Sequence, residues 1–203
     1  ECGEFSEVAS LHPLCEKLKE EIKNADMENL LYNLEQPLTE VLASMECEGV
    51  KIDTEGVKNF GEMLSSDIEG LESQIYFMAG KEFNINSPKQ LGEVLFEDLG
   101  LPAGKKTKTG YSTNAEILEG LRDKHPIVDL VLQYRQLSKL LSTYVDGLLK
   151  VVGDDGRIHS NFKQTETRTG RISSTEPNMQ NIPVRTETGR EMRKFFIAKE
   201  GYT

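Results

Sequence analysis

Two long apolar stripes at helical spacing constrain this chain more than any other feature. In the first, Val57, Phe60, Leu64, Ile68, Leu71, Ile75 and Met78 fall on one face of a helix that starts at Asp53 or Thr54 and stops at Gly80. At 1.5 Å per residue that helix is ~40 Å long. In the second, Pro126 opens a helix on which Ile127, Leu130, Tyr134, Leu137, Leu141, Tyr144 and Leu148 alternate steps of three and four, the seam of a helix pair. A long helix with one apolar face needs a partner. The two stripes therefore predict each other as antiparallel neighbours.

Shorter elements surround them. Residues 1–25 are acidic and end in a helical fragment. From Asp26, Leu30, Leu34, Leu38, Val41 and Met45 mark one helix face, with Pro37 expected to kink or restart the helix and Gly49 to close it as a left-handed cap. Val50 to Ile52 read as a short extended link. Ser87-Pro88 combines a capping side chain with a proline at the first helical position, and Leu91, Val94, Leu95 and Leu99 follow at helical spacing up to Gly100. Leu101 to Tyr111 is a basic, glycine-flanked loop. Thr113 and Glu116 predict a capping box for a short helix carrying Ile117, Leu118 and Leu121. Asp154-Asp155-Gly156 is a turn. Arg157 to Phe162 and Phe195 to Ala198 read as strands, with about thirty polar residues between them as a long loop. The expected fold class is mainly α with a small β part.

Hydrophobic residues make up 37% of the 203 positions and charged residues 29%, a globular balance. No apolar run approaches the ~20 residues of a bilayer-spanning helix. The start, Glu1-Cys2-Gly3-Glu4, has neither Met nor an apolar stretch, which predicts no signal peptide and a piece of a longer chain. Cys2, Cys15 and Cys47 are odd in number and widely spaced, unlike a disulfide framework or a zinc site, and read as free thiols of a reducing cytoplasm. The net charge of −10 is unevenly placed. Residues 1–75 hold 18 acidic and 5 basic side chains, whereas residues 157–199 hold 4 and 9. A polyanion is thus expected at the C-terminal end only, and the acidic part is expected to be a solvated helical surface.

The basic end contains the segment that could carry chemistry. It runs from Gln164 to Arg185 and holds no Cys/His cluster, no phosphate-binding glycine-lysine loop and no Ser/His/Asp set. What it holds is donors. Arg171 and Arg185 can bind phosphate or a base edge. Asn178, Gln180 and Asn181 can donate to the purine N3 and pyrimidine O2 acceptors of the minor groove, which all four base pairs present. Donors aimed there would sense pairing geometry without reading sequence. The residues alone leave two readings open, nucleic-acid contact and a self-bonded polar loop.

The run Thr169-Gly170-Arg171-x-Ser173-Ser174-x-x-Pro177-Asn178-x-Gln180-Asn181-Ile182-Pro183 resembles the signature that precedes the first catalytic carboxylate of family A DNA polymerases, the bacterial DNA polymerase I type. Arg185-Thr186-Glu187-x-Gly189-Arg190 and Arg193-x-x-Phe196 continue it in the same style. Leu31-Tyr32, Glu35, Pro37-Leu38 and Met45-Glu46-x-x-Gly49-Val50-x-Ile52-Asp53 are similar to the family's opening polymerase helix. Phe83 to Leu91 resembles a thumb segment, and Tyr134-Arg135-x-Leu137-x-Lys139-Leu140-x-x-Thr143-Tyr144 a long thumb helix. The resemblance covers roughly residues 26–203.

It implies an antiparallel long-helix thumb over 26–152, the incomplete β-elements of a palm over 153–203, and the tail of an exonuclease-like domain over 1–25. It implies that Arg171 contacts the primer-terminal base pair, that Asn178, Gln180 and Asn181 lie along template and primer, and that Arg185 lies near the incoming nucleotide. Asn86, Ser87 and Lys89 are implied as contacts to the duplex backbone, Lys105, Lys106 and Lys108 as the thumb tip, and Arg135 and Lys139 as helix positions facing DNA. The bland alternatives are a solvated lysine loop, two cations flanking Tyr134 and, for His159, a purely structural histidine.

The family's metal-binding aspartate is implied to lie beyond Thr203, so no catalytic or metal-binding residue is expected in this chain. The parent is expected to be a monomeric, cytoplasmic, Mg-dependent DNA-directed DNA polymerase that uses primer-template DNA and dNTPs, and this part of it to be inactive alone. The palm strands are expected to lack partners and to expose their edges. The rival readings are a non-catalytic DNA-binding module, a phage, mitochondrial or repair-type relative, and a helical scaffold that binds protein through its acidic face.

Overall fold

The computed structural model describes residues 3–103, 110–182, 186–199 and 201–202. The chain is mainly helical, with two small antiparallel sheets among the described residues, and it divides into two compact units. Unit 1 comprises residues 1–49 and 159–180, and unit 2 comprises 50–158 and 181–203.

Unit 1 begins with α1 (Gly3–Asn24). After a turn at Asp26 come α2 (Glu28–Leu30), a π-helical turn (Leu31–Glu35) and α3 (Gln36–Glu48). The predicted restart at Pro37 is present, and the π turn is how the chain makes it. Proline has no N–H for the ladder, and the preceding turn widens so that the Gln36 N–H bonds to the Leu31 carbonyl. Gly49 ends α3 at φ 62°, ψ −178°. That is a glycine-only region rather than the left-handed helical cap expected.

The apolar face predicted for this helix is a correction. Leu30, Leu34, Val41 and Met45 are 41–55% exposed, and Leu42, one position off the stripe, is the buried residue. Unit 1 also contains β3 (Asn161–Lys163) and β4 (Ser173–Thr175), paired antiparallel with Phe162 opposite Ser174.

Unit 2 holds the long helices. α4 (Thr54–Ala79) starts at Asp53, whose carboxylate accepts from the Gly56 N–H at 2.9 Å, and stops at Gly80 in the left-handed conformation. α7 (Ile127–Leu140) runs through a π-helical turn (Leu141–Val145) into α8 (Asp146–Leu149). α4 packs on α7, antiparallel as expected. Gly61 near the start of α4 lies against Val145, whereas Leu71 and Gln74 further along share a groove with Gln133 and Leu137. A Cβ on Gly61 would sit 2.8 Å from Val145 Cγ1, so the helices approach here only because that side chain is absent.

Along the contact, Val57, Leu64, Leu71, Ile75, Ile127, Val128, Val131 and Tyr134 are buried. The seam on α7 is wider than its heptad suggests. Leu130, Leu137 and Leu141 are half-buried, while Val128, Val131, Leu140 and Val145 are buried. Two causes are visible. α7 is covered on another side by α6 (Ala115–Glu119), and the π turn shifts the register past Leu140.

α5 (Pro88–Glu93) and a π-helical turn (Val94–Asp98) complete the core around Leu91, Leu95 and Leu118. Ser87 caps α5 as predicted. The capping box does not form. Asn114 caps α6 by accepting from the Ile117 N–H at 2.9 Å, while Thr113 is buried and bonded elsewhere.

The predicted strand from Arg157 to Phe162 is split. β2 (Arg157–Ile158) pairs in unit 2 with β1 (Val50–Lys51), the segment read as a mere link, and Asn161–Phe162 belong to β3. Both strands thus have partners among the described residues, contrary to the orphaned edges expected. The predicted strand at Phe195–Ala198 reduces to one bridge, Ile52 to Phe196, because α9 (Glu187–Arg193) runs almost into it. β4 and α9 also occupy the stretch read as one long loop.

Candidate nucleic-acid interface

The predicted contact residues fall in both units, and each group has its own support. In unit 1, Arg171 stands at the end of the β3–β4 hairpin. Gly170 turns the chain at φ 73°, and the Thr167 hydroxyl donates to the Arg171 carbonyl. The Arg171 side chain is exposed, and its guanidinium makes no hydrogen bond or ion pair among the described residues.

The hairpin itself is firmly held. The Phe162 N–H donates to the Glu46 carboxylate at 2.6 Å, and the His159 Nδ1 lies 2.7 Å from the Glu46 carbonyl oxygen. Gln164 Nε2 donates to the Glu35 carbonyl and carboxylate, each at 3.0 Å, and the Thr39 hydroxyl donates to Gln164 Oε1. Three residues of the helical segment, Glu35, Thr39 and Glu46, thus clasp the strand that leads into the turn. Sequence reasoning took Glu35 and Glu46 as surface charge, since nothing local announces that a carboxylate will accept from a strand over a hundred residues away.

Replacing Glu46 with alanine leaves the Phe162 N–H without its acceptor and is expected to cost about 1–3 kcal/mol. Glutamine at 46 keeps an acceptor oxygen and should recover most of it. Urea unfolding of the three proteins, compared at equal slope, checks this.

Downstream of β4 the polar residues divide. Ser174 is fully buried and its hydroxyl accepts from the Met179 N–H at 2.9 Å. Asn178 Oδ1 accepts from the Gln180 N–H at 3.0 Å, and Gln180 Nε2 donates to the Ile172 carbonyl. Gln180 is therefore partly engaged in holding its own loop, which supports the self-bonded reading for that residue. Asn178 is exposed, and its amide NH2 makes no hydrogen bond among the described residues.

In unit 2, α7 organises the contacts. Asn86 is exposed, and its Nδ2 donates to the Tyr134 hydroxyl at 3.2 Å. Ser87 caps α5, and Lys89 is exposed on that helix. Arg135, expected to face DNA, is bonded to the protein itself. Its guanidinium is half-buried and donates to the Thr113 carbonyl and, at 3.0 Å, to the Thr113 hydroxyl. Burial lowers its pKa from the ordinary arginine value. This arginine ties α7 to the start of α6.

Lys139 is exposed and lines a concavity of about 330 Å³ together with Gln136, Leu140, Tyr144, Asn181 and Thr186. The Tyr144 hydroxyl donates to the Asn181 carbonyl. Gln136, Tyr144 and Thr186 were not named from sequence as contact residues, although Tyr144 and Thr186 stand in the motifs quoted above. The one available signal was a tyrosine inside an apolar seam, because a buried hydroxyl needs a partner. Lys105, Lys106, Lys108 and Arg185 lie outside the described residues.

Among the described residues no group of three His, Cys, Asp or Glu side chains is placed to hold a metal ion. Cys15 and Cys47 are exposed free thiols. No helix is long and apolar enough to cross a membrane.

Comparison with known proteins gives a consistent result. Residues 54–203 match the model of DNA polymerase family A. DNA polymerase I of Bacillus subtilis is 53% identical over 192 residues, which is 94% of this chain and 22% of that protein. The thermostable DNA polymerase I of Thermus thermophilus is 46% identical over 209 residues, covering 98% of this chain and 25% of the relative. The chain thus spans about a quarter or less of the curated relatives it matches. Among solved structures, the POL domain of Pol1 from M. smegmatis, in complex with DNA primer-template and dNTP, superposes with a TM-score of 0.83 at 44% identity. That match covers 92% of this chain and 33% of the other.

Proposed function

This chain belongs to DNA polymerase family A, and on that premise we propose that it is the part of a DNA-directed DNA polymerase that grips primer-template DNA. The observation that carries the reading is Arg171, an unpartnered cation at the turn of a hairpin clasped by Glu35, Thr39 and Glu46. An arginine on a turn whose neighbouring strand is held in place suits minor-groove acceptors, since the backbone that carries it is ordered before binding.

Residues 26–152 then act as a thumb, with the α4–α7 pair as its rigid body and Lys105, Lys106 and Lys108 at its tip. Residues 153–203 start the palm, and residues 1–25 end an exonuclease-like domain. Asn86, Ser87, Lys89 and Lys139 supply contacts to the duplex backbone. Asn178, Gln180 and Asn181 lie along template and primer, and Arg185 near the template and the incoming nucleotide. Arg135 acts from inside, by fixing Thr113 at the base of the tip. The whole enzyme is monomeric, cytoplasmic and uses dNTPs and Mg. Phosphoryl transfer of that kind relies on carboxylate-held metal ions. The carboxylates described here are not grouped to hold one, and no step of the transfer is assigned to them.

Binding of the chain to a fluorescent primer-template at several salt concentrations tests the reading. The logarithm of the binding constant should fall linearly with log salt, with a slope of roughly −0.9 per neutralised phosphate. Lys139→Ala should weaken binding and reduce that slope by about one contact. Affinity that ignores salt, or a slope unchanged by Lys139→Ala and Lys89→Ala together, would remove the reading.

A further inference from the structure

Two tyrosines of the α7 segment hold two of the asparagines assigned above to DNA. Tyr134 is 7% exposed and its hydroxyl accepts from Asn86 Nδ2. Tyr144 is 8% exposed and its hydroxyl donates to the Asn181 carbonyl. They lie ten residues apart, ~15 Å along a helix. A regular helix would place residues ten apart nearly 80° from the same face. The π turn at Leu141–Val145 alters that phase, both tyrosines are buried, and each hydroxyl bonds to an exposed asparagine.

A buried tyrosine hydroxyl is retained only where it has a partner, and phenylalanine would fill the same space without that demand. In each case the partner belongs to an exposed asparagine, the side-chain amide of Asn86 and the main-chain carbonyl of Asn181. The amide oxygen of Asn86 makes no hydrogen bond among the described residues. Asn181 is held by its main chain, beside Lys139 and Thr186 at the mouth of the concavity.

We infer that Tyr134 and Tyr144 are positioning residues whose hydroxyls fix Asn86 and Asn181 for contact with primer-template DNA. This rests on the primer-template reading. Orientation is set before binding, so less ordering is required when DNA arrives. The two hydroxyls thus extend the rigid helix pair out to the surface that meets the duplex.

The test is a pair of double-mutant cycles on the full chain, read as affinity for a fluorescent primer-template, with thermal melting by circular dichroism to confirm folding. Tyr144→Phe, which keeps the ring, should weaken binding roughly 2- to 10-fold. In an Asn181→Ala background the same change should cost less than about 2-fold. Tyr134→Phe should behave likewise against Asn86→Ala. If either tyrosine change costs the same factor in both backgrounds, or costs nothing while the asparagine changes weaken binding, the inference falls and the primer-template reading stands. If Asn86→Ala and Asn181→Ala both leave affinity unchanged, the assignment of these asparagines to DNA falls, and the inference with it.

Discussion

Arg171→Ala is expected to lower affinity for primer-template DNA by roughly 5- to 150-fold, the equivalent of about 1–3 kcal/mol for one well-placed arginine. Its guanidinium has no partner to leave behind, so the loss should not be mixed with a loss of fold. Melting should accordingly stay where it is. The hairpin is held through Phe162 and Gln164, and Arg171 takes part only through its main-chain carbonyl, which alanine keeps. The salt dependence separates Arg171 from the lysines. A contact to base edges persists at high salt, whereas a phosphate contact fades as counterions compete. Measured across a salt series, Arg171→Ala should shift the whole line with little change of slope. A change in slope like that of Lys139→Ala would make Arg171 one more backbone cation. An affinity unchanged at any salt would remove it from the interface.

Leu64→Ala is expected to cost about 2–5 kcal/mol of stability, whereas Leu34→Ala should stay within about 0.5 kcal/mol. The two leucines look alike in sequence, each in the middle of an apolar stripe at helical spacing. In the structure Leu64 is fully buried and Leu34 is 55% exposed. Leu64 lies in the face that α4 turns to α7, so truncation opens a cavity in a tightly packed interface. Leu34 lies in the π turn before Pro37, where truncation leaves no void. Chemical denaturation of both variants decides the matter. Similar costs for both would mean that the exposed stripe of unit 1 is in fact packed.

The long helices were legible because their signals are local and redundant. Asp53, the seven apolar positions and Gly80 each point to the same element, and α4 begins and ends where they say. Ser87-Pro88 and Asp154-Asp155-Gly156 were legible for the same reason. The failures have a common cause too. Val50–Lys51 is a strand only because Arg157–Ile158 lies beside it, more than a hundred residues later. Thr113 lost its capping role to Arg135, twenty-two residues away.

The polar segment shows the same division. Its residue types pointed to nucleic acid or to internal bonding, and the structure shows the internal bonding at two of them. Arg171 is free to reach outward, while Gln180 and Ser174 bind their own loop.

By itself the sequence determined the two long helices, the caps at Asp53, Gly80 and Ser87, and the family, since each depends on side chains within a few turns of one another or on one contiguous motif, and the antiparallel pairing followed from two apolar stripes that each needed a partner. Only the tertiary structure decided which stripe is buried, how the strands pair, and which polar groups remain available. Those outcomes depend on long-range partners. A buried donor or acceptor takes whatever complementary group the fold brings within about 3 Å. For Phe162 that group is the Glu46 carboxylate, for Tyr144 the Asn181 carbonyl, and for Arg135 the Thr113 hydroxyl.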